Sequence, residues 1–129
     1  MPKFYLNKLV RDKLRDEYER IGQKAVCRVL SAPDHKQELI KKIIEETREI
    51  QTDGPKEEIV NEIADIEQVI DDLMALCGIT EQQVADVVRA KLDKKGGFAA
   101  GHFVETLELS DGDEWVDYYR KRPEIFPEL

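Results

Sequence analysis

Four carboxylates stand where a helical protein should be apolar, and their spacing is what gives this chain a chemistry to argue about. Read as a helix, Leu39, Ile43 and Ile50 fall on one stripe at about 100° per residue, with Glu46 inside that stripe. Glu49 follows one turn later on the stripe's flank, so the two form an i, i+3 pair on the core side. A second helical stripe, Ile59, Ile63, Ile66, Ile70 and Leu73, carries Glu62 and Asp65 on its edge at the same spacing, among Val69 and Leu76. Each helix thus brings a carboxylate pair to the seam the two would share.

An isolated buried carboxylate costs several kcal/mol, and like charges one turn apart repel, so four of them in one seam call for a compensating cation. The ligand atoms are all oxygen. Neither Glu-x-x-Glu nor Glu-x-x-Asp contains the histidine of the Glu-x-x-His pairs in di-iron bundles, which favours Mg²⁺ or Mn²⁺ over iron or zinc. The bland alternative is solvated surface charge, in a chain that is 37% charged. It serves for any one of these residues better than for the four together.

These residues carry a resemblance. Glu45-Glu46-Thr47-Arg48-Glu49, then twelve residues, then Glu62-Ile63-Ala64-Asp65 resembles the Glu-Glu-x-x-Glu and Glu-x-x-Asp motif pair of the MazG-like, all-α nucleoside triphosphate pyrophosphohydrolases. Asn7-Lys8-Leu9-Val10-Arg11-Asp12-Lys13 and Lys95-Gly96-Gly97-Phe98 resemble flanking motifs of the branch close to phosphoribosyl-ATP pyrophosphohydrolase, with Lys95 where that branch more often has Arg. The likeness spans roughly residues 5 to 100 and leaves 99–129 largely unmatched. It implies an antiparallel four-helix bundle core and metal ligation by Glu46, Glu49, Glu62 and Asp65. It also implies Mg²⁺-dependent cleavage between the α and β phosphates by water, with Glu45 as a candidate orienter or base, and it raises Lys8 and Arg11 to substrate-site candidates.

The elements that must position these groups follow from periodicity and punctuation. Leu6, Leu9, Val10, Leu14, Tyr18 and Ile21 predict a first helix over Asn7–Ile21, stopped by Gly22. Ala25–Leu30 reads as an extended connection. The second helix is expected from about Pro33 or Lys36 to Gln51, ended by Asp53-Gly54-Pro55, and this short connection makes it the antiparallel neighbour of a third helix over Lys56–Cys77. Thr80-Glu81-Gln82-Gln83 has the form of a capping box and starts a fourth helix with Val84, Val87, Val88 and Leu92 on its apolar face. Its basic end, Arg89, Lys91, Lys94 and Lys95, exceeds what the helix dipole needs, which makes Lys91, Lys94 and Lys95 candidates for phosphate contacts. Beyond the glycines a short strand is expected around His102–Leu107, then a small helix within Glu114–Arg122 before Pro123. Trp115, Tyr118 and Tyr119 are expected to pack this tail on the bundle or on a second subunit.

Composition excludes several classes. The chain's 129 residues suit one domain, 1–129, and 41% hydrophobic with 7% aromatic residues suits an all-α protein better than a sandwich or a disordered tail. A net charge of −8 argues against nucleic-acid binding. No run of eighteen apolar residues and no signal-like N-terminus is present, so a cytoplasmic protein without membrane association is expected. Cys27 and Cys77 lie in apolar runs and read as two buried, reduced thiols. There is no Walker-type loop, no nucleophilic triad order and no zinc spacing.

The function expected is pyrophosphohydrolysis of nucleoside triphosphates, standard or modified, in keeping the nucleotide pool clean. Phosphoribosyl-ATP hydrolysis in histidine synthesis uses the same cleavage. The alternative from another class is a non-catalytic acidic helical interaction module for a basic partner. A third helix apolar over so wide an arc also predicts a homodimer or higher homo-oligomer.

Overall fold

The structure is a computed structural model and describes residues 1–129. Five helices and no strand make up the chain: α1 (Leu14–Arg20), α2 (Ala32–Arg48), α3 (Lys56–Leu76), α4 (Glu81–Lys95) and α5 (Val116–Arg120). No helix is long and apolar enough to cross a membrane. The chain divides into two compact units, Met1–Ala90 and Lys91–Leu129, which are described in turn.

In the first unit α2 and α3 pack extensively on each other. Ser31 caps α2 by accepting the Asp34 N–H at 3.4 Å, and proline stands in the first turn. The chain leaves α2 at Glu49 and turns through a Gly54 N–H bond to the Gln51 carbonyl at 3.0 Å. It enters α3 behind Pro55. A Cβ on Gly54 would sit 3.1 Å from that same Gln51 oxygen, a tight contact that favours glycine in the turn. Leu39 and Val69 are the two buried apolar residues. Leu39 lies seven residues before Glu46 and Val69 seven after Glu62, the equal steps that an antiparallel register produces.

The phase of α3 differs from the expectation. Its covered face runs Ile59, Glu62, Asp65, Ile66, Val69, Leu73 and Leu76, whereas Val60, Ile63 and Ile70 are exposed. Apolar residues all round a helix leave its rotation undetermined by pattern alone, and contact with α2 fixes it with the carboxylates inward.

The first helix is also shorter than expected. Asn7 takes a left-handed backbone (φ 45) outside any helix, and α1 begins only at Leu14. The second helix stops at Arg48 rather than at the Gln51 expected, while the end of α3 and the start of α4 follow their signals. Gly78, at φ 68, closes α3 with Ile79 N–H donating to the Met74 carbonyl (2.9 Å) and Gly78 N–H to that of Ala75 (3.2 Å). Thr80 and Gln83 form the reciprocal capping box, at 2.8 and 3.2 Å.

The second unit starts within the last turns of α4. The strand expected around His102–Leu107 is absent, because an alternating segment with no neighbouring strand has nothing to pair its backbone with. Tyr118, Tyr119, Trp115 and Phe126 form an edge-to-face cluster with centroid separations of 5.0 to 6.2 Å. Arg122 lies 4.5 Å over the Tyr118 ring, and Arg120 pairs with Glu128 at 2.8 Å. The aromatic tail therefore packs on itself. Both cysteines are free and exposed rather than buried, Cys27 in a segment without helix and Cys77 at the end of α3.

Candidate metal centre

The hairpin brings three of the four expected ligands together. Glu46 and Glu49 come from the last turn and C-cap of α2, and Glu62 comes from the second turn of α3, each offering a carboxylate oxygen within 4.8 Å of the others. Glu46 is 7% exposed, Glu62 half-buried and Glu49 on the open side. Three physical effects work against three negative charges here. The carboxylates repel one another, Glu46 is out of water, and Glu49 sits at the negative end of the α2 dipole.

Glu62 registers the conflict most clearly. Burial, followed by the neighbouring carboxylates of Glu46 and Glu49, pushes its carboxyl above the ordinary value of 4.5. Its Oε2 is buried without a hydrogen-bond partner. A buried carboxylate oxygen with nothing to accept from, facing two further carboxylates, is a donor set suited to a hard divalent cation.

Two of the remaining candidates are carboxylates that pair with cations next to the trio. Asp65, one turn beyond Glu62, accepts from the Arg11 guanidinium at 2.6 Å. Glu45 lies beside the trio and faces Lys8 and Lys42, each at 3.4 Å. Lys8 and Arg11, singled out in the sequence only through the resemblance, thus reach α2 and α3 from the segment before α1. Lys91, Lys94 and Lys95 belong to the second unit, at the exposed end of α4, and form no ion pair.

Sequence reasoning missed Lys42. Its ammonium lies 3.5 Å from Glu46 and 3.4 Å from Glu45, with the side chain 20% exposed, so it is the fixed counter-charge of the most buried carboxylate. The signal was present: Lys42 precedes Glu46 by four residues on the helix that places Glu46 inward. No family model, no curated protein and no solved structure matches this chain.

Proposed function

We propose that this chain is a divalent-cation-dependent hydrolase of nucleoside triphosphates, releasing a nucleoside monophosphate and pyrophosphate. The observation that carries the reading is the convergence of Glu46, Glu49 and Glu62 around the unpartnered Glu62 Oε2, on one side of a helical hairpin. The Glu45–Glu49 and Glu62–Asp65 motifs, which resemble those of the MazG-like pyrophosphohydrolases, support cleavage between the α and β phosphates.

Glu46, Glu49 and Glu62 would hold the cation, Mg²⁺ or Mn²⁺, with Asp65, one turn along α3, as the further ligand the motif implies. When bound, it supplies positive charge to phosphate oxygens and makes a nearby water easier to deprotonate. Glu45, next to this trio, orients the attacking water and takes its proton. Lys8 and Arg11 balance charge on the leaving pyrophosphate, and Lys91, Lys94 and Lys95 are the further phosphate contacts.

The same reading includes assembly. Ile40, Ile44, Val60, Ile63 and Ile70 stand exposed on the α2–α3 hairpin, and Val87, Val88 and Leu92 on α4. A second copy covers these faces, completing the four-helix core from two hairpins and bringing Lys95 to a neighbouring site.

Incubation with a panel of standard and modified nucleoside triphosphates and phosphoribosyl-ATP, with and without Mg²⁺, tests the reaction. Monophosphate and pyrophosphate from at least one substrate, only with the cation, is the expected result. Release of inorganic phosphate and a diphosphate instead overturns the assigned bond. No turnover of any substrate favours the acidic interaction module.

A further inference from the structure

The segment ahead of α1 is fastened across the hairpin by its two long-range ion pairs. Lys8 reaches Glu45 on α2 at 3.4 Å, and Arg11 reaches Asp65 on α3 at 2.6 Å. Leu9 and Val10 between them are half-buried, and the left-handed Asn7 sets the elbow from which the segment starts. Residues 1–13 contain no helix, so little besides these contacts holds the segment down. Lys42 offers the contrast, since it belongs to α2 and stays beside Glu46 whatever else binds.

We propose that residues 7–11 are a strap whose Arg11 stands in for a divalent cation at Asp65, so that metal binding at the carboxylate seam displaces Arg11 and frees Lys8 and Arg11 to take the substrate's phosphates. This rests on the metal reading given above. Asp65 and Glu62 are one turn apart on the covered face of α3, a spacing that lets one cation draw on both. Arg11 approaches Asp65 through one nitrogen, with the two side chains 60% and 28% exposed. An exposed pair of this kind is weak enough to be exchanged. The trio beside it has only the single counter-charge Lys42 and gains far more from a dication than Asp65 loses with Arg11.

Calorimetric Mg²⁺ titration of the full chain and of Arg11→Gln, with backbone ¹⁵N relaxation of residues 7–11, tests the proposal. Arg11→Gln should bind Mg²⁺ about two- to fivefold more tightly, the range an exposed ion pair is worth. Saturating Mg²⁺ should lower the order of residues 7–11 in the wild type, and Glu46→Gln should abolish that response. Asp65→Asn, nearly isosteric, should loosen the strap without metal and serves if Arg11→Gln does not fold. Equal affinities with an unmoved strap overturn the exchange and leave the metal reading standing. Weaker binding by Arg11→Gln also overturns the exchange. No Mg²⁺ binding by the wild type or either variant overturns both.

Discussion

Replacing Glu46 by Gln separates a metal site from a structural ion network, because the two predict opposite changes in stability. Glu46 is 7% exposed, within 4.8 Å of two other carboxylates through ligand oxygens, and 3.5 Å from Lys42. The amide keeps the shape and removes the charge. Lys42 keeps Glu45 at 3.4 Å, so no cation is orphaned, and the variant loses only the Lys42–Glu46 pair at 3.5 Å. Against that stand relief of repulsion from Glu49 and Glu62 and of the cost of holding a charge out of water, together about 1–3 kcal/mol. The metal-free variant should therefore be as stable as the wild type or more stable, by up to about 2 kcal/mol, raising Tm by several degrees at this chain length. With Mg²⁺ at a hundred times its dissociation constant the wild type gains about 2.7 kcal/mol and the variant little, so their order should narrow or reverse. Thermal melts of both proteins with and without Mg²⁺ read this directly. Turnover should be lost in the variant. A Glu46→Gln protein that melts several degrees lower without metal would refute the reasoning and make the seam a structural network.

Glu62 should make stability depend on pH. Its folded value lies above the ordinary 4.5, so the folded chain holds the proton more tightly than the unfolded one, and stability falls as pH rises from the ordinary value through the raised one. Metal-free urea melts should show that loss in the wild type and not in Glu62→Gln, with full stability at the acid end of the window. Lys91→Glu and Lys94→Glu should raise KM or lower kcat about tenfold or more for triphosphates while leaving Mg²⁺ affinity unchanged, checked by steady-state kinetics and calorimetry; unaltered kinetics return both lysines to helix capping. Ile63→Lys puts a charge on the exposed apolar face of α3 and should shift the chain to monomer in light scattering over a dilution series, with activity falling in parallel. A wild-type monomer of constant specific activity would sink the shared assembly.

The hairpin was legible because its signals are local. Gly54-Pro55 in the turn and Thr80 with Gln83 each settle a helix end by their own chemistry. Glu46 was legible because it interrupts an otherwise apolar stripe. The rotation of α3 was not, since Ile63, Ile70, Val69 and Leu76 offer two apolar faces and only contact with α2 chooses between them. The start of α1 escaped because the apolar spacing of Leu6, Leu9 and Val10 continues through residues that lie ahead of the helix. Alternation around 102–107 does not make a strand, because a strand also needs a neighbour to pair with and the chain has none. Pairing across 37 and 54 residues, as in Lys8 with Glu45 and Arg11 with Asp65, is not written in any local pattern.

The central claim is that Glu46, Glu49 and Glu62 form the seat of a divalent cation. Anomalous diffraction from crystals grown with Mn²⁺ tests it most directly, since the ion identifies itself at its own absorption edge. The account predicts a peak between the carboxylates of these three residues, with Arg11 drawn away from Asp65. Mn²⁺ found only elsewhere, or a lysine ammonium occupying the space between the three carboxylates, would contradict it.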